Sequence, residues 1–166
     1  LKLAGEQRDF NVLMAIGKRL FNKGSYKLSV VMFERAHRMA LAQFGQKSLA
    51  AVLSATHLSD ALEKVARKYE GLSAAANFLD ADLSEFPPDA RLYLAVFQAS
   101  VAIHFVEAGD PRRGLKMFRR LRADLESGLV EFDPIARAVF DGREGHALFA
   151  QGAYAEALQA YAHARE

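Results

Sequence analysis

The sequence predicts an all-α protein, an α-solenoid of about four antiparallel helical hairpins. Three observations carry that expectation. Ala and Leu dominate the 166 residues while Val and Ile are sparse and Thr56 is the single threonine, a balance that favours helix over strand. Apolar residues recur at helical spacing almost without a break, punctuated by short Gly, Pro and Asp signals. The punctuated pattern also repeats itself along the chain.

The spacing predicts helices over 8–22, 26–43, 47–69, 73–85, 89–107, 111–126, 134–150 and 154–165. Gly24 separates the first two and Gly71 the next two. Pro87-Pro88-Asp89 ends the fourth helix and begins the fifth, because a residue before proline resists the helical conformation. Asp110-Pro111 and Asp133-Pro134 each set a capping acid before a proline suited to a first helical turn. Ser127-Gly128 reads as a helix C-terminus, and Gly152 separates the last pair. No stretch alternates as a strand would. Joined by short turns, the eight helices make hairpins of about 8–43, 47–85, 89–126 and 134–165, expected to form a single domain over 1–166.

The repetition is seen by aligning the turn glycines Gly24, Gly109 and Gly152. Seven residues earlier stand Gly17, Ala102 and Gly145, all small; four earlier stand Leu20, Phe105 and Leu148, all large and apolar. Two later come Tyr26, Pro111 and Tyr154, and five later Ser29, Gly114 and Ala157. Nine later come Phe33, Phe118 and Tyr161, and twelve later Ala36, Leu121 and Ala164. Small residues let antiparallel helices approach closely, and bulky ones fill the seam between them. At these residues the chain resembles the tetratricopeptide repeat family over three of its four hairpins. Around Gly71 the same offsets give Lys64, Arg67, Ser73, Ala76, Asp80 and Leu83, of which Ala76 fits best. The glycines lie 47, 38 and 43 residues apart, beyond the usual repeat length, which implies an extended-helix variant and an irregular second hairpin.

The resemblance implies a right-handed superhelix whose concave face is lined by the first helix of each hairpin. On that reading the partner-binding groove comprises Met14, Lys18 and Phe21, then Val96, Ala99, Ile103 and Val106, then Val139, Arg143, His146 and Phe149. Some members grip acidic tails with a clamp of Lys, Asn and Arg. Here Met14, Ala99, Ser100 and Ile103 stand in those places, so no such clamp is expected. A mostly apolar stripe suits an apolar or amphipathic segment of another protein. The expected role is a non-catalytic interaction module, a scaffold or adaptor. The alternatives are a structural subunit or assembly factor of a large complex, or the helical regulatory domain of an enzyme whose catalytic part lies elsewhere.

Other chemistries find little support. The net charge is +2, too balanced to point to nucleic acid. There is no cysteine, hence no disulfide or thiol nucleophile. His37, His57, His104, His146 and His163 are scattered without metal-ligand spacing, so no metal, cofactor or catalytic site is expected. The longest apolar run, 92–106, is shorter than the ~20 residues a bilayer requires. Arg112, Arg113, Lys116, Arg119 and Arg120, followed by Arg122, form a secondary basic surface whose charges are expected to pair with acids such as Asp80, Asp82 and Glu85. The start at Leu1 and the end in a helical pattern suggest a longer native chain. The outer face of the last helix, with Leu158, is expected to be covered by something else.

Overall fold

The computed structural model describes residues 2–165, with side chains except at 2–4, 6, 68, 69 and 72. It is all-α, with no strand among the described residues. The helices are α1 (Lys2–Asn22), α2 (Tyr26–Gln43), α3 (Leu49–Lys64), α4 (Lys68–Ala74), α5 (Ala76–Leu79), α6 (Pro88–Glu107), α7 (Pro111–Glu126), α8 (Pro134–Ala150) and α9 (Tyr154–His163). A 3-10 turn at Leu83–Glu85 precedes α6. Adjacent helices pair as hairpins, in two compact units: Leu1–Ala81 with Glu85–Ala90, and Asp82–Ser84 with Arg91–Glu166.

The capping signals act as expected. Asp110 and Asp133 accept hydrogen bonds from the backbone N–H groups of Arg113 (3.1 Å) and Ala136 (2.7 Å), each with proline opening the helix behind it. Ser48 does the same for α3 through the N–H of Ala51. The first helix begins earlier than expected, at Lys2.

The second hairpin corrects the expectation. Its turn lies not at Gly71 but at Ala66, which holds φ at +60°. The four turns inside the hairpins share one geometry, which the turn at Gly128 after α7 has as well. The N–H groups of Ser25, Arg67, Asp110 and Ala153 reach back to the carbonyls of Leu20, Leu62, Phe105 and Leu148 at 2.8–3.0 Å. Gly24, Ala66, Gly109 and Gly152 donate inside them to Phe21, Glu63, Val106 and Phe149. These are Schellman turns, in which the residue at positive φ is usually glycine. Counted from Ala66, the repeat becomes regular, with turns 42 or 43 residues apart. Seven before it stands Ser59, four before it Leu62, and five after it Gly71.

Gly71 is therefore a seam residue. A β-carbon there would lie 3.1 Å from the Ser59 carbonyl oxygen, as one on Gly114 would lie 2.5 Å from that of Ala102. In the first and fourth hairpins the close approach is made by a ring instead. Phe33 lies over Gly17 and Tyr161 over Gly145, where added β-carbons would stand 2.5 Å and 2.9 Å from ring atoms. The expected helices at 47–69 and 73–85 thus break into α3, α4, α5 and the 3-10 turn, the first break set by the reversal at Ala66.

Each unit has its own core. In the first, the Phe33 ring is 1% exposed and stacks on His57 at 5.3 Å, while Phe10 meets Phe44 edge-on. In the second, Phe118 and Phe132 each set an edge against Phe140, and Leu121 is fully buried. The left-handed conformation costs an ordinary L-residue roughly 1–2 kcal/mol, partly offset by the greater unfolded-state freedom of glycine. Ala66→Gly should therefore raise stability by about 0.5–1 kcal/mol. Gly114→Ala should lower it by about 1–3 kcal/mol despite the better helix propensity of alanine, because the obstacle is backbone. Urea denaturation of both variants checks the pair.

Candidate interaction surface

In the second unit α6 and α8 enclose an open cleft of about 310 Å³ lined by Ile103, Glu107, Ala138, Val139, Gly142, Arg143 and His146. Positions 96, 100, 103 and 107 recur at helical spacing on α6, as 139, 143 and 146 do on α8. Arg143 donates from Nη1 to Ser100 Oγ at 3.1 Å, which fixes the guanidinium at the cleft wall. Val139 and Val96 are about half exposed. Phe149, 56% exposed, packs edge-on against Tyr154 at the end of α8.

The structure thus brings together Ile103, Val139, Arg143 and His146 of the expected groove. Ala99 and Val106 are buried, because the face of α6 that carries them turns into the packing; Val106 stands beside Gly114 of α7. Met14 is buried in the first unit for the same reason, one turn from Phe10. Lys18 is exposed there, and Phe21 is partly buried against Tyr26. A larger hollow that the sequence did not suggest, about 510 Å³, lies at the turn ends of the first two hairpins between Gly24–Leu28 and Lys64–Val65.

The basic stretch divides. Arg112, Lys116 and Arg119 stand exposed along α7, Arg119 lying 3.9 Å from Glu156. Arg113 covers the ring of Phe105 at 4.1 Å. Arg120 turns inward and donates to the buried Gln98 amide oxygen at 2.9 Å, so it leaves the surface expected of it. Of the expected acids, Asp82 meets the Arg120 charge. Its carboxyl is held below the ordinary range first by hydrogen bonds from Ser84 and then by that arginine.

Arg122 carries the cluster that sequence reasoning missed. Its guanidinium bonds Asp141 at 2.6 Å and also Glu144, and lies 5.0 Å over the ring of Phe140. The Asp141 and Glu144 side chains are only 3% and 10% exposed, and Arg137 adds a longer contact to Asp141 at 3.5 Å. Two carboxylates withdrawn from water need this cation. The only signal in the sequence was the spacing of Asp141 and Glu144, three apart on one helical face. Arg122 itself looks like its basic neighbours.

The first unit uses neutral partners instead. His37 Nδ1 lies 3.1 Å from Ser54 Oγ, and Ser54 donates to the carbonyl of Ala50. Burial, helped by the charge of Lys18, pushes the stacked His57 down to about 4. Burial also lowers His37, against a backbone hydrogen bond with Ala51. Among the described residues no group of His, Cys, Asp or Glu is placed to hold a metal, and no helix is long and apolar enough to cross a membrane. No protein-family model matches the chain, and no curated protein matches it.

Removing Arg122 while leaving both carboxylates buried should be costly. Arg122→Met is expected to lose about 3–5 kcal/mol, and adding Asp141→Asn and Glu144→Gln should restore part of it in denaturant titration. The histidines set a pH dependence of definite sign. Unfolded, His57 takes its proton near 6.5; folded, only near 4. The unfolded state therefore gains protons first, so stability should fall as pH drops from about 6.5 towards 4. His57→Phe, which keeps a ring on Phe33, should flatten that slope between pH 7.5 and 5, His37 supplying the remainder.

Proposed function

We propose that the chain is a non-catalytic protein-interaction module of the tetratricopeptide type, which lays an apolar or amphipathic segment of a partner protein against α6 and α8. The observation that carries this reading is the α6–α8 cleft itself. Apolar Ile103 and Val139 line it beside one immobilised cation, Arg143, and the exposed imidazole of His146. Apolar burial supplies affinity in such an arrangement, while a fixed cation at the wall selects the orientation of the segment. The half-exposed Val96 and the exposed Phe149 extend the apolar area along the same two helices. The regular spacing of the four turns inside the hairpins supports the repeat-family resemblance on which the module reading rests.

The test is a comparison of proteins retained from native extract by the wild-type chain and by an Ile103→Asp, Val139→Asp double variant of equal helicity by circular dichroism. A partner held by the first should fall at least tenfold on the second. Arg143→Gln should weaken the same partner more modestly. Equal retention by all three chains would sink the proposal.

A further inference from the structure

A glycine inside a helix weakens it and calls for a reason. Four in this chain have one. Phe33 lies over Gly17 and Tyr161 over Gly145, while the backbones of Ser59 and Ala102 lie against Gly71 and Gly114. Gly142, in the middle of α8, has none. A β-carbon there would meet no heavy atom closer than the Ala164 β-carbon at 3.9 Å, an ordinary contact. Gly5 also meets nothing, but it stands exposed in the first turn of α1. For the packing of the chain itself, alanine would serve better at 142.

Gly142 lines the α6–α8 cleft. Val139, Gly142, Arg143 and His146 follow one another along one face of α8, so the glycine is a gap in a row of side chains. Where the chain sets a side chain over a helical glycine, that side chain is an aromatic ring, with atoms 2.5–3.2 Å from the place of the missing β-carbon. The cleft also holds a cation without an anion. Arg143 donates one N–H to Ser100 Oγ, and among the described residues no carboxylate lies within ion-pair distance of it. Arg122, by contrast, meets two. Glu107 lines the cleft as well, exposed and forming no ion pair with Arg143.

We propose that Gly142 is the specificity-determining residue of the cleft: it admits an aromatic side chain of the partner segment onto the bare face of α8, beside Ile103 and Val139, while a carboxylate next to that ring on the segment meets Arg143. This rests on the reading of the cleft as a partner site and adds which side chains the site selects. A ring is thin enough to use the room left by the missing β-carbon, and it buries a large apolar area there. The guanidinium keeps donors free beyond the Ser100 bond, so a carboxylate gains charge-assisted hydrogen bonds. Two properties then oppose each other at one atom. A methyl group at 142 improves the helix and closes the seat.

The probe is acetyl-Phe-Asp-amide, titrated into the full ¹⁵N-labelled chain and followed through the amide shifts of Ile103, Val139 and His146. Saturable shifts at millimolar peptide are expected. Binding should be at least tenfold weaker for acetyl-Leu-Asp-amide, and at least tenfold weaker in Gly142→Ala, a variant that should unfold at higher urea than the wild-type chain. Arg143→Gln should erase the preference for acetyl-Phe-Asp-amide over acetyl-Phe-Asn-amide. No saturable shift, the result if the chain fills its own cleft, would overturn the proposal. So would equal binding of the two acidic probes, or a Gly142→Ala chain that keeps its affinity or loses stability. A sedimentation coefficient that rises with concentration in the wild type and not in Gly142→Ala would overturn it too, by making a second copy the occupant. The underlying reading fails separately. If Ile103→Asp, Val139→Asp releases a native partner that Gly142→Ala retains in full, the cleft stands as the partner site and the role of Gly142 falls.

Discussion

In every hairpin the two helices run so close that the residue seven before the turn must be small. Gly17, Ser59, Ala102 and Gly145 hold this place: a ring lies over Gly17 and Gly145, and in the second and third hairpins the backbone of Ser59 and Ala102 lies against Gly71 and Gly114, which leaves no room for a β-carbon there. The residue five after the turn is small as well, being Ser29, Gly71, Gly114 or Ala157. Such a seam admits one register, because sliding either helix by a turn would drive a side chain into a carbonyl. The left-handed turn follows from the seam. Only a reversal completed within two or three residues returns the second helix at that distance, and positive φ provides it.

The same constraint explains where the large residues went. Leu20, Leu62, Phe105 and Leu148 stand four before the turn, and their carbonyls close the Schellman bonds. With the seam occupied by small residues, the bulk of each second helix is displaced outward to its ninth and twelfth positions. There Phe33, Phe78, Phe118 and Leu121 are buried at 1% exposure or less. A hairpin built this way always presents an apolar outer face, so it requires a neighbour. The exposed face of α9 follows from that requirement and needs no separate cause.

Much of this was legible in the sequence, and the exceptions have physical reasons. Three turns announced themselves through glycine. The fourth did not, because Ala66 pays the left-handed strain without the residue that usually marks it, and Gly71, a seam residue, drew the alignment five places off. Once the turn is placed at Ala66 the second hairpin matches the others at Ser59, Leu62 and Gly71, while Ala75 stands where they carry a ring and its second helix stays broken. The α6–α8 cleft was half legible. Ile103, Val139, Arg143 and His146 share a surface as their spacing implied, but Ala99 and Val106 lie on the adjoining arc of α6, where a rotation of one position separates cleft from interior. The Arg122 cluster could not be read from one helix. It exists only where two successive hairpins meet, and nothing within α7 distinguishes Arg122 from Arg119 or Arg120.

That cluster also bears on why the hairpins do not change places. A buried ion pair is a poor source of net stability, since desolvating the charges consumes most of what their attraction returns. Its stronger effect is on alternatives. Set against α2, the face of α8 would bring Asp141 and Glu144 to Val30, Phe33 and the uncharged His37, stranding two carboxylates out of water. Set against α7, the face of α3 would offer Arg122 only Ser54 and His57, and the guanidinium would lie buried with no anion. The repeats share a backbone plan that by itself would let any hairpin follow any other. The neutral junction after α2 and the ionic junction after α7 remove that freedom, at little gain in stability and with a large penalty on each wrong order.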